Sequence, residues 1–448
     1  MALCAMMGTA TLTSCEGTLD DVFGEWSRPT KALSIEETPL TIEAVEAGTI
    51  QVIYQGDLTL SKPITYTKNG VSTSITASTD ITVAAGDVVS FSSENSSVND
   101  DATGWLNILA DHKIYVYGNV MSLINDEGDF SKDKTISGDY ALAGLFQDNT
   151  QLYNHPEKKL LLPATTLYAS CYNQMFYNCT SLTTAPELPA TTLANYSYYR
   201  MFYNCTSLTA APTLPATTLT EGCYYSMFLG CTSLTTAPEL PATTLANYCY
   251  NFMFYGCSSL TTAPELPATT LAYRCYYRMF SGCTSLTTAP KLPATTLAKE
   301  CYAYMFTSCI SLTTAPELPA TTLADGCYSG MFWDCTSLTT APELPATTLT
   351  SLCYYRMFAN CLSLEKAPVL PATTLVDQCY RDMFVGCSKL SSVSCKATSE
   401  INNTNLNTWL ENAGTDATSP ILHVTSGHKD DGWNLPINPD TWTIVEDL

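Results

Sequence analysis

The chain of 448 residues is 46% hydrophobic and only 14% charged, which excludes a disordered protein and suits two or three domains, or one elongated array with caps. With 42 acidic against 20 basic residues its net charge is −22, which repels phosphate backbones and anionic lipid surfaces and excludes nucleic acid as a partner. At the start, residues 1–14 form an apolar run too short to span a membrane, which needs about 20 such residues. The run reads as the apolar part of a signal peptide, and its missing basic leader points to a start upstream of Met1.

The run stops at Leu12, Thr13, Ser14 and Cys15, which together resemble the lipobox of bacterial lipoproteins, and residues 15–40 continue as a polar linker. The resemblance implies a lipidated Cys15, so that the protein touches membrane only through this anchor. The acidic stretch after Cys15 is similar to the export signal of surface lipoproteins in some Gram-negative anaerobes, which implies the outer face of the outer membrane. Residues 41–136 change character. Runs such as TIQVIYQG, PITYTKNGVSTSIT and KIYVYGNVMSLI predict a small antiparallel β-sandwich, with a tight hairpin turn at Asn69-Gly70.

A repeat follows. The hexapeptide LPATTL begins at Leu162 and returns eight times, ending with the copy at Leu370, at an unbroken step of 26 residues. Such a period marks a solenoid, whose units bury their apolar faces only against neighbours. A degenerate first unit at 137–161 carries GLFQDNTQL, with Asn149 where later units have Cys and four extra residues before its Leu-Pro, as in a capping repeat.

Wound at about 100° per residue, Tyr224, Met227, Phe228, Cys231 and Leu234 share an arc of about 140°, so the segment from the first Cys of a unit to Ser-Leu is predicted to be helical. The position before the second Cys holds Asn178, Asn204, Gly230 and their equivalents through Gly386, residues that accept a left-handed backbone and would stop the helix. The Pro-rich TSLTTAPELP after it predicts one short strand or extended turn per unit. Stacked, these pieces give a narrow parallel sheet and a curved α/β solenoid over 137–395, closed by a C-terminal cap at 396–448 with Trp409, Trp433 and Trp442 in its core.

The boxes of the form MFxxCxSL, for example Met331, Phe332, Cys335, Ser337 and Leu338, with the Leu-Pro after each extended piece, resemble the BspA-like bacterial leucine-rich repeat proteins. This unit is longer than is usual in that family and has Ala-Pro where an aliphatic strand residue is commoner. The segments AAGDVVSFSS and YVYGNVMSLI also resemble the N-terminal module carried by many BspA-like lipoproteins. The resemblance implies a leucine-rich repeat fold and adhesion to host matrix proteins or to other bacteria.

The two cysteines of a unit lie eight residues apart, about 12 Å along a helix, which is too far for a disulfide. Both columns therefore read as buried free thiols, and without Cys-x2-Cys pairs they mark no metal site. The row from Tyr172 to Tyr380 reads as core rings with satisfied hydroxyls, whereas Tyr199, Tyr225, Tyr277 and Tyr355, one position on, lie at the edge and are candidates for ligand contact. Between the two prolines of each unit runs a second candidate surface, Glu187, Glu239, Glu265, Lys291, Glu317 and Glu343, a solvated strip able to meet a cation or a basic partner.

The histidines His112, His155, His423 and His428 are scattered, and no nucleophile–base spacing or phosphate cradle is visible, so neither enzyme activity nor a cofactor is expected. The expected function is a surface-anchored interaction or adhesion scaffold with a host or bacterial protein ligand. Glycan capture and a purely structural spacer are the alternatives, and a monomer is expected, although no residue fixes the oligomeric state.

Overall fold

The computed structural model describes residues 33–100, 104–126, 128–431, 433 and 441–448, of which Ile35–Leu448 belong to one compact unit. The apolar leader and Cys15 lie outside the described residues.

The N-terminal region is built from β1 (Leu40–Ala44), β2 (Gly48–Gly56), β3 (Ile64–Lys68), β4 (Val71–Ile75), β5 (Thr79–Val83), β6 (Val88–Ser92), β7 (Asn99–Asp100), β8 (Gly104–Ala110) and β9 (Ile114–Asn119). These strands form two sheets of antiparallel pairs, β9-β1-β6-β3-β4 and β5-β2-β8-β7. Their alternating apolar residues, Leu40, Ile42, Ile50, Val52, Leu106 and Ile108 among them, join a single buried core. Asn69 and Gly70 take φ of 49° and 83° and close the β3–β4 hairpin in two residues, as their sequence demands. Asp87 accepts hydrogen bonds from Ala84 N at 2.9 Å and Asn69 Nδ2 at 2.8 Å and lies 3.0 Å from Lys68 Nζ. Those bonds, the backbone one first, hold its carboxyl down at about 2.

The repeat array grows directly from this region. β10 (Leu152–Asn154) and β11 (Leu160–Leu161), both from the first unit, pair in parallel with β9. From there each unit is one coil with a turn side and an extended side.

The helix predicted on the turn side is not formed. Half the N–H groups close turns within the coil, as Met175 N to Tyr172 O (3.2 Å) and Tyr177 N to Gln174 O (3.0 Å) do. The alternate ones cross to the next coil, as Gln174 N to Tyr199 O (2.8 Å) and Phe176 N to Met201 O (2.9 Å) do. Three residues per unit are left-handed, at the positions of Ser170, Gln174 and Asn178, with φ of 53°, 54° and 56°, which an α-helix forbids. The winding therefore repeats every four residues, not every 3.6. A period of four buries positions i, i+1, i+4, i+5 and i+8, here Cys171, Tyr172, Met175, Phe176 and Cys179, and over so short a span a helix would bury the same set. The pattern alone could not tell the two apart. The left-handed backbone expected before the second Cys is present in all nine units, but as the last of three such residues rather than as a helix stop.

On the extended side neighbouring coils meet only through isolated parallel bridges such as Thr184↔Ala210↔Thr236 and Thr166↔Thr192. The two prolines of each unit remove the ladder donors a longer strand would need. Beyond the last unit, the proline-free β13 (Ser392–Cys395), β14 (Ile421–Val424) and β15 (Thr443–Glu446) form a parallel sheet with β12 (Lys366–Leu370), which still holds Pro368 and pairs with β13 through a register shift between Lys366 and Val369. One α-helical turn among the described residues, α1 (Asn403–Leu406), starts the last coil, capped by Asn402 Oδ1 on Thr404 N and Asn405 N. Trp409, Trp433 and Trp442 are buried there.

Candidate ligand-binding surfaces

Surface geometry rests on two stacked columns inside the coils. The Phe rings from Phe146 to Phe384 and the Tyr rings from Tyr172 to Tyr380 stack nearly parallel, with adjacent centroids 5.4–5.9 Å apart. The hydroxyls of Tyr172, Tyr224, Tyr302 and Tyr380 have no partner among the described residues, against expectation. Stacking fixes the ring, and the hydroxyl ends wherever the ring points.

Every cysteine among the described residues is buried and unpaired. The second column holds successive coils together: Cys205 Sγ donates to Phe176 O at 3.0 Å, and the same bond recurs in each later unit up to Cys387 to Phe358 O at 3.0 Å. Asn149 of the first unit makes the equivalent bond with Nδ2 on Ile108 O at 3.0 Å, which explains the Asn–Cys exchange at this turn. Burial pushes the Cys171 and Cys275 thiols up to about 12, so they stay protonated and are poor nucleophiles.

Outside this frame, on the turn side, the predicted edge tyrosines enter a larger stripe. Tyr199 and Tyr225 touch with ring centroids 5.2 Å apart, and the chain of contacts continues through Phe252 (6.0 Å), Tyr277 (5.5 Å), Tyr304 (5.8 Å) and Trp333 (6.4 Å). Guanidinium groups lie over the rings: Arg200 is 4.9 Å from Tyr199, Arg278 4.9 Å from Tyr304, and Arg356 5.7 Å from Trp333 and 5.0 Å from Tyr355. Sequence reasoning found the four tyrosines but missed Phe252, Tyr304 and the arginines, all three positions after a first-column Cys or, for Arg200, after Ser197 in its place. Either winding puts that position on the outward arc about a quarter-turn from the tyrosines, so burial leaves no signature there, and the ring and guanidinium contacts alone mark it.

Along the stripe lies a cleft of about 500 Å³, lined by Tyr277, Tyr304 and Tyr355 with Ala303, Gly326 and Ser329 between them. Two predicted residues, Tyr277 and Tyr355, thus share one cavity, while Tyr199 and Tyr225 pair elsewhere.

The acidic row lies on the extended side. Glu187, Glu239, Glu265, Lys291, Glu317 and Glu343 are all exposed, and Lys159 pairs with Glu187 at 2.9 Å. Among the described residues no group of three or more His, Cys, Asp or Glu converges as a metal site, which leaves the cation version of the strip without a ligand set.

A second cleft, of about 650 Å³, opens where the first unit carries its four extra residues, between Leu160–Pro163 and Thr184–Pro189. Lys134, Lys158 and Lys159 rim an apolar floor, and His155 packs edge-on against Tyr115 and Tyr117 at 5.3 and 5.1 Å. Burial and the nearby Lys158 lower the His155 pKa, keeping the ring neutral. No sequence motif announces this cleft, because β9 and two successive coils each supply part of it.

A family model described as BspA type leucine rich repeat region (6 copies) matches residues 153–287, 199–339 and 300–411. No curated protein and no solved structure matches the chain.

Proposed function

Because the chain belongs to the BspA-type leucine-rich repeat family, we propose that it is a protein-interaction scaffold held at the outer-membrane surface by a lipidated Cys15, binding a host matrix or bacterial surface protein. In this reading a sandwich over 41–136 is the base, the units of 137–395 are the binding array, and 396–448 closes it. One observation carries the reading: an aromatic and arginine stripe that runs from Tyr199 to Tyr355 across successive coils. Tyr, Trp and Arg dominate the energetic centres of protein interfaces, whereas a spacer needs only polar residues there. The acidic row keeps another side of each coil hydrated and, in a chain of charge −22, favours basic partners.

The test has two arms. Protease shaving of intact cells should cleave the wild-type chain and spare a Cys15→Ala variant, which would no longer be displayed; equal cleavage of both would rule out the anchor. In the second arm, purified chain is titrated over immobilised matrix glycoproteins and over whole bacteria. A Tyr199→Ala/Tyr225→Ala/Tyr355→Ala variant should lose at least about ten-fold in affinity, as expected for interface aromatics. Undiminished binding by that variant would move the interface off the stripe.

A further inference from the structure

We propose that the cleft bounded by Tyr277, Tyr304 and Tyr355 is a saccharide-binding site for a short, neutral oligosaccharide. Side-chain bulk that the array carries elsewhere is omitted there. The position two after the first Cys, or after Ser197 in its place, is Tyr199, Tyr225, Tyr277 and Tyr355 in four coils, Asn or Arg in three, and the small Ala303 and Ser329 in the two between Tyr277 and Tyr355. Glycine stands at Gly326 and Gly330 in the same stretch, so four small residues fall together in two adjacent coils.

Gly330 makes room for the Tyr304 ring, as Gly222 does for Tyr196. Its φ is 57°, and a Cβ there would lie 2.4 Å from Tyr304 Cδ1, so only glycine lets the Tyr304 ring lie down across the neighbouring coil. Tyr304 then borders the cleft beside Ala303 and Ser329, with the Arg278 guanidinium 4.9 Å from its ring centroid, and Tyr277 stands as one wall at 5.8 Å between ring centroids. Tyr355 closes the opposite end three coils on, roughly 14 Å away at about 4.8 Å per coil. This space admits a few pyranose rings and no folded domain.

The rim decides the ligand class. Arg274 and Lys299 face Glu300 and Asp325, so the formal charges cancel, and Arg274 Nη2 is held by Glu300 at 2.7 Å. A neutral rim beside carboxylates rejects phosphates and other anions. An apolar peptide would leave the rim charges dehydrated. A pyranose satisfies both parts: its C–H face packs on the tyrosine rings, and its hydroxyl edge takes hydrogen bonds from guanidinium and ammonium groups and gives them to carboxylates. The cleft shares Tyr277, Tyr304 and Tyr355 with the stripe, so a substitution that fills the cleft and leaves those rings in place separates a sugar from a protein partner.

The full chain is titrated with maltotriose, cellotriose, lactose and triacetylchitotriose, read by saturation-transfer NMR and by tryptophan emission, since Trp333 lies 6.4 Å from Tyr304. At least one sugar should bind saturably, with saturation strongest on one C–H face, and Tyr304→Ala should weaken it at least about ten-fold. Ser329→Tyr should abolish it with an unchanged melting temperature, because that column already carries Tyr in four coils. No saturable binding by any of the four up to about 10 mM, or undiminished binding by Ser329→Tyr, would overturn the site. Loss of a protein ligand on Ser329→Tyr without any sugar binding would assign the cleft to protein and equally overturn it.

Discussion

The N-terminal strands and the repeat array solve one backbone problem in two ways. Among β1 to β9 donors and acceptors meet in antiparallel ladders, and the core is largely aliphatic and free of cysteine. In the array each coil keeps half its turn-side bonds and sends the other half onward, and its core is stacked rings and thiols. The ladders can close upon themselves, whereas a stack always leaves two ends unsatisfied. Here the N-terminal region serves as one end. Four carbonyls of the first coil that would otherwise lack a preceding coil, those of Ala141, Ala143, Leu145 and Gln147, accept from Val98 N, Asn99 Nδ2, Ile108 N and Asn107 Nδ2 at 2.7–3.1 Å. At the far end Tyr380, Asp382, Phe384 and Gly386 donate to Asn405, Asn407, Trp409 and Glu411 of the irregular last coil.

Alkaline pH should split the two regions most widely. Burial raises the Cys171, Cys223 and Cys327 thiols from 9.0 to about 12, so below the unfolded value both states are protonated and stability is complete. As pH rises above it the unfolded chain sheds thiol protons that the native array retains. Stability then falls by up to about 1.4 kcal/mol per pH unit for each thiol. With eighteen such buried thiols among the described residues, near-UV circular dichroism should show the array collapsing within about one to two pH units of 9, under reducing conditions. A strand region that loses its signal at the same pH would show that the two unfold as one.

Next in size is the junction. Asn107→Ala removes the bonds to Gly144 O at 3.0 Å and Gln147 O at 2.9 Å and should cost about 2–3 kcal/mol. Hydrogen exchange should place the loss in the first coil, and uniform loss along the array would contradict the capping role. Within the stack, Cys257→Ala deletes the thiol donor to Phe228 O and should cost about 1–2 kcal/mol, while Cys257→Ser, which keeps a donor, should cost less by thermal melting. The smallest effect belongs to the strands. Asp87, held at about 2 against a usual 3.8, contributes stability above the usual value that is lost as pH falls towards 2. Asp87→Asn should therefore flatten the acid limb of the melting curve without moving the alkaline one.

Legibility followed the physics of each element. Asn69-Gly70 announces its hairpin because few other residue pairs take two positive φ angles. The period, the buried columns and the edge tyrosines were equally open, since burial leaves a residue-type signature. The winding was hidden: Tyr196, Arg274 and Leu352 all occupy left-handed positions, with φ of 55°, 50° and 58°, although none favours them. Bonds between coils, a tertiary effect, hold them there. The saccharide cleft was equally hidden, because it consists of side chains that are missing from two coils and becomes visible only when those coils are aligned in space.

The capping bonds touch only the first and last coils, and the coils between present the same donors and acceptors above and below. Unequal crossing-over between near-identical repeats can therefore add or delete any multiple of 26 residues while every hydrogen bond at the ends is preserved. Each such event changes the reach of the protein by about 4.8 Å per coil. The array is thus an adjustable ruler, whose gradations inheritance can alter one at a time.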